Sequence, residues 1–178
     1  DQYMMRGGRV IWLVDGVATN DEVGKPNDLN LTDQLFTYGV RIQPMMLLDV
    51  QCGTVPINTS LEGQTPNVVP MPWYYSPLLM PMPNHAITRN IAPVKAEFSS
   101  YIEKVGENDS INKGTVLLCS SSKTALEKAP MSLRADIVNL SPESPYFAYS
   151  YMPVAVLLEG KFKSVYANRL APENIVTG

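Results

Sequence analysis

Apolar residues along this chain gather in short runs and show no sustained helical period. The first run, Arg9-Val-Ile-Trp-Leu-Val-Asp-Gly-Val17, is almost continuously apolar and rich in β-branched and aromatic residues. Gly7-Gly8 precedes it and Asp15-Gly16 closes its apolar part. Such a run, bounded by turn residues, predicts a strand buried on both faces, the kind found in parallel sheets covered by helices. Met45 to Val50, Thr115-Val-Leu-Leu-Cys-Ser120 and Pro153-Val-Ala-Val-Leu-Leu-Glu-Gly160 read the same way. Val40-Arg-Ile-Gln43 alternates, and Pro44 separates it from the run after it, which predicts a bent strand.

Helical signals are few. Residues 1–6 read as the end of a helix stopped by Gly7-Gly8. Leu31, Leu35 and Tyr38 share one face of a second helix, with Asn30 as its expected cap and Gly39 as its stop. A polar loop from Thr19 to Asn30 should connect the first strand to that helix. Gly53 to Pro83 is proline-rich and includes Met71-Pro-Trp-Tyr-Tyr-Ser-Pro77, which reads as a packed loop or edge strands crossing the sheet. Val94, Ala96 and Phe98 alternate like a strand, Glu107 to Gly114 reads as a turn, and residues 131–152 form another proline-punctuated connection. The sum is an α/β fold: a parallel or mixed central sheet with helices on both faces and long Pro-rich loops. Ligand-facing residues would then sit beyond the carboxyl ends of the strands, which makes Asp15 the first candidate.

Composition adds exclusions. The 178 residues carry 14 basic and 17 acidic side chains, net −3, with no long run of either sign, so neither a nucleic-acid groove nor a polybasic membrane patch is expected. No apolar run reaches the ~18 residues of a membrane span, and there is no signal peptide. The chain does not open on Met and begins as though already inside a helix. We therefore expect a single α/β domain over residues 1–178, cut from a longer, membrane-anchored protein.

Candidate chemistry is thin. Cys52 and Cys119 are the only cysteines, and each borders an apolar run. Small buried hydrophobes are the simplest reading, and a mutual disulfide stays open. Ser120-x-x-Lys123 has the spacing of a serine–lysine pair, but the accompanying Ser-Asp-Asn and Lys-Thr-Gly elements are missing, and a capped serine-rich turn needs the same residues. A Cys119–His85 pair would lack a Gly-x-Cys-x-Gly elbow. His85 is the only histidine, so it cannot build an ordinary catalytic zinc site. No phosphate-cradling glycine motif occurs, and no cofactor is expected. Trp73-Tyr74-Tyr75 could form an aromatic platform for a glycan or a protein partner, or could pin a loop to the core. We expect Asp15, Asn20 and Trp73 to Tyr75 near one rim.

Four blocks carry a resemblance: Tyr3 to Asp15, Asn30 to Ile42, Asn84-His-Ala-Ile-Thr88 and Val154 to Ser164. Their order resembles the GldG-type gliding-motility auxiliary proteins of bacterial ABC transporters, with Ala86 standing where His-Pro is usual. The resemblance implies an α/β domain of the flavodoxin-like or amidotransferase-like sandwich kind, related to a domain of a ciliary intraflagellar-transport protein. It implies a non-catalytic domain on the periplasmic side of the inner membrane, partnered with separate permease and ATPase subunits. A sugar-binding role has been suggested for that domain class, and the family supplies no catalytic residues.

Overall fold

The computed structural model describes residues 1–20, 22–106 and 112–168. Its strands pair antiparallel throughout and curl into an open half-barrel, which corrects the expectation of an α/β sandwich. Only two α-helices occur among the described residues, α1 (Gln2–Met5) and α2 (Thr32–Tyr38), too little to cover two faces of a sheet. The strands are β1 (Val17–Thr19), β2 (Val23–Pro26), β3 (Val40–Asp49), β4 (Cys52–Asn58), β5 (Val68–Pro81), β6 (Val94–Lys95), β7 (Ser100–Lys104), β8 (Asn112–Cys119), β9 (Thr124–Lys128), β10 (Met131–Ser132) and β11 (Pro153–Gly160). Three sheets run in the orders β1-β2-β10, β11-β8-β5-β4 with β6 alongside β5, and β7-β3-β9. Chain connectivity explains the direction of two of these pairs. β1 and β2 follow one another across a short turn and β4 and β5 across a single loop, so each pair closes as a hairpin, whereas parallel neighbours need a long crossover.

Several expected elements are present. Gly39 ends α2 in the left-handed conformation (φ 101°), and its N–H bonds the Phe36 carbonyl at 3.0 Å. The N-cap is Leu31 and not Asn30, whose own N–H is taken by Asp28 Oδ1 at 3.2 Å. β3 is one strand bent at Pro44, where the register against β7 slips between Ile42 and Met46. The expected strands at 115–120 and 153–160 are β8 and β11, paired antiparallel with each other. The expected 107–114 turn lies partly outside the described residues, and β8 already begins at Asn112.

One expectation fails and one two-sided expectation is decided. The run from Arg9 is not a buried strand: only Val17 enters β1, and Val10 to Leu13 lie exposed with no described strand beside them. The proline-rich middle takes the strand form of its two expected forms, supplying β4 at a sheet edge and the 14-residue β5 beside it. Pro70 and Pro72 are two positions apart, so their missing N–H groups fall on one edge of β5. There the strand has β4 on one side only, because β8 pairs with β5 only at Met80 and Pro81. The core sits where β5 crosses β3 and β9. Met46, Leu48, Tyr74, Tyr75, Ala125, Ile137 and Phe147 pack there, joined by Val17 from β1.

Candidate functional site

The end of the first apolar run is anchored from several directions. Gly16 is buried, and a Cβ on it would stand 2.7 Å from the Gln43 carbonyl oxygen and 2.9 Å from Ser100 Oγ, so only glycine fits without a shift. Asn27 donates its N–H to the Gly16 carbonyl and its side-chain amide to the Asp15 carbonyl, both at 3.0 Å. Asn20 closes the β1–β2 turn by accepting from the N–H of Glu22 (3.1 Å) and of Val23 (2.7 Å). These bonds hold residues 26–29 away from α2 and the start of β3, leaving a cleft of about 300 Å³.

Gly16, Leu35 and Ile42 line the inner part of that cleft, and Asp28, Thr32 and Arg41 carry its polar groups. The Arg41 guanidinium lies 5.2 Å from the centre of the Phe36 ring, a cation–π contact that holds the long side chain in place. Among the described residues neither Arg41 nor Asp28 has an ion-pair partner. The recess therefore offers a cation and an anion, neither ion-paired among the described residues, over an apolar base, which suits contact with a polar ligand or a protein side chain.

The other sequence candidates lie elsewhere. Asp15 and Asn20 flank the two ends of β1. Trp73, Tyr74 and Tyr75 are on β5, with Tyr74 and Tyr75 fully buried and Trp73 half-buried. The Tyr74 hydroxyl donates to the Leu140 carbonyl at 2.8 Å, and its ring meets Phe147 edge-on at 5.0 Å. Trp73 packs edge-on against Tyr75 at 5.1 Å. Burial pushes both tyrosine hydroxyls up from their ordinary value, with the charges of Cys52 and Glu127 adding to it for Tyr74 and Tyr75 respectively. The aromatic run is thus a core strand whose one accessible ring is Trp73.

Ser120 and Lys123 face different partners. Ser120 Oγ is buried, 2.6 Å from Thr124 Oγ1, and accepts the Met152 N–H at 2.9 Å. Lys123 Nζ reaches Glu143 at 2.6 Å. Behind Ser120 lies Asp49, a residue the sequence reading missed. Its Oδ2 accepts from the Ser121 N–H (2.7 Å) and Thr124 Oγ1 (3.0 Å), and its Oδ1 from the Gln51 N–H (2.7 Å). This buried network ties the end of β3 to the β8–β9 turn. The available signal was an aspartate closing an apolar run, the same signal that selected Asp15.

Cys119 and His85 are likewise engaged apart. Cys119 Sγ contacts the Met80 carbonyl (3.8 Å) and Met82 Sδ (3.7 Å), while His85 Nδ1 accepts the Ile87 N–H at 3.2 Å. Burial, then the Asp49 charge, pushes the Cys119 thiol up. Cys52 is pushed up to about 11 by burial, partly offset by a backbone hydrogen bond at Trp73. Both thiols are free. A second cluster missed by the sequence reading joins Glu127 to the hydroxyls of Tyr146 and Tyr75 (3.4 Å for the latter) and to Arg134 at 3.7 Å. Burial and the bond to Glu127 push the Tyr146 hydroxyl well up. Among the described residues no group of three His, Cys, Asp or Glu side chains could hold a metal, and no helix is long and apolar enough to cross a membrane.

Fold and cleft together define a small antiparallel-β domain with one mixed-charge recess and, among the described residues, no assembled nucleophile–base pair. The family model described as an ABC-type uncharacterized transport system matches residues 1–177, and the chain belongs to that family. It is an auxiliary component of an ABC transport system, as the sequence resemblance implied at that coarser level. No curated protein and no solved structure matches the chain.

Proposed function

We propose that this chain is a non-catalytic accessory domain that acts by protein contact, on the periplasmic side of a bacterial inner membrane, within an assembly containing a permease and an ATPase. The observation that carries this reading is family membership over essentially the whole chain. The engagement of Ser120, Lys123, Cys119 and His85 with separate structural partners supports it. The cleft beside Asp15, with its Arg41 and Asp28 not ion-paired among the described residues, is the proposed contact surface. The resemblance to gliding-motility auxiliary proteins makes gliding the process that the system is proposed to serve.

Affinity purification of the tagged full-length protein from its host should bring down a permease and an ATPase, and Arg41→Glu should reduce their recovery. A purification lacking both subunits overturns the reading. In a gliding host, disruption of the gene should abolish spreading on agar, and unchanged spreading removes the motility part alone.

A further inference from the structure

Residues 9–14, between α1 and β1, have a strand-forming sequence but form no strand. Their backbone groups make no hydrogen bond among the described residues; the flanking bonds are made by the Gly8 N–H and by the Asp15 and Gly16 carbonyls. Ile11 is 88% exposed and Leu13 91%, while Val10 (41%) and Trp12 (38%) are partly covered by the chain's own body. A row of unpaired N–H and C=O groups on an apolar segment is a template for pairing with another strand.

The segment is palindromic about Trp12: Gly8-Arg-Val-Ile-Trp-Leu-Val-Asp-Gly16. Laid antiparallel against a second copy with Trp12 opposite Trp12, it places Ile11 opposite Leu13, Val10 opposite Val14 and Gly8 opposite Gly16. At both ends Arg9 then meets Asp15. Neither of these charges has an ion-pair partner within the chain among the described residues. A parallel arrangement would put Arg9 against Arg9 and Asp15 against Asp15, and like charges directly opposite are destabilising. A slip of one residue would reverse which side chains face the body.

We propose that residues 9–15 form the two-fold interface of a homodimer, pairing antiparallel with the same segment of a second copy. Charge complementarity commits the occupant. No described edge strand carries opposite charges six positions apart to match Arg9 and Asp15: β1, β4 and β10 carry none, β6 and β11 one each, and β7 and β9 an adjacent Glu-Lys pair. A two-stranded ribbon standing alone is marginal in water. Here the Val10–Trp12 face is already partly covered in each copy, and pairing sets Ile11 against Leu13 on the opposite face. The contact is isologous, so it closes at two copies.

Sedimentation velocity of the chain from about 1 μM to about 1 mM, the range of a modest self-affinity, should show a monomer–dimer equilibrium. Ile11→Asp should leave a monomer. Arg9→Asp and Asp15→Arg should each weaken the dimer about tenfold, since each breaks two symmetric pairs, and the two together should restore it. These side chains are exposed or lie on the unpaired segment, so near-ultraviolet circular dichroism should match the parent in every variant. Four results would overturn the proposal: a monomer across the whole range, a dimer indifferent to Ile11→Asp, a double variant no better than the singles, or 10–14 amides that gain protection from hydrogen exchange only when the permease is added. Loss of the dimer leaves the accessory reading standing, because co-purification tests that separately.

Discussion

Val10-Ile-Trp-Leu-Val14 and Met45-Met-Leu-Leu48 are apolar runs of five and four residues, each followed directly by an aspartate, Asp15 and Asp49. In the second run Met46, Leu47, Leu48 and Asp49 are all fully buried; in the first, Ile11 and Leu13 stand almost wholly in water. What differs is the neighbourhood. β3 has β7 on one edge and β9 on the other, and β5 packs across it in the core. The earlier run has no strand beside it. Strand propensity expresses fit to a pleated surface already in place, and without that surface the same side chains stay outside.

The largest expected effect tests the two aspartates. Asp49→Ala removes the acceptor of three hydrogen bonds and strands the buried Ser121 N–H and Thr124 hydroxyl, which should cost about 3–5 kcal/mol. Asp15→Ala, measured where the chain is monomeric, should fall within about 0.5 kcal/mol of the parent. Urea denaturation monitored by tryptophan fluorescence reads both, and equal losses would erase the contrast. Next come the two leucines. Leu48→Ala opens a cavity and should cost about 2–5 kcal/mol, whereas Leu13→Ala should cost almost nothing under the same monomeric conditions. A Leu13 value above half that of Leu48 would mean that the first run is buried in solution.

The smallest effect is chemical. The Cys52 thiol, pushed up from 9.0 to about 11 by burial, should hold only about a thousandth of its population as thiolate at pH 8. A cysteine placed by Leu13→Cys should be far more ionised and react with an aromatic disulfide reagent at least tenfold faster. The sign for stability follows from the raised value. The neutral thiol's contribution is fully present below pH 9 and is lost as pH rises through the window up to about 11. Equal labelling rates for the two thiols would refute the assigned burial.

The local features of this fold were legible where one residue decides a backbone state. Gly39 stops α2, Pro44 bends β3, and the apolar runs at β8 and β11 are strands. Strand direction was not legible, because continuous apolarity states how many faces are covered and not which way the neighbour runs. The prolines of β5 left loop and edge strand undecided for a related reason: whether a missing N–H matters depends on which edge lacks a partner. At the site, Gly16 was legible only as a turn residue, whereas the structure buries it against the Gln43 carbonyl beside the cleft. The aromatic run left a surface platform and a core-pinning role both open, and two of its three rings fill the interior. Asp49 was passed over because no sequence rule separates an aspartate facing solvent from one collecting amides donated 72 residues away by Ser121.

Asp1 joins two distant parts of the chain. Its carboxylate accepts from the Tyr38 hydroxyl and from Ser164 Oγ, each at 2.6 Å, while Phe162 stacks edge-on against Tyr38 at 5.2 Å. The segment before α1 and the segment after β11 are thereby held to one carboxylate. Asp1→Ala would take the same acceptor from the hydroxyls of Tyr38 and Ser164 at once, so one change at the edge of the fold is felt at two places far apart in sequence.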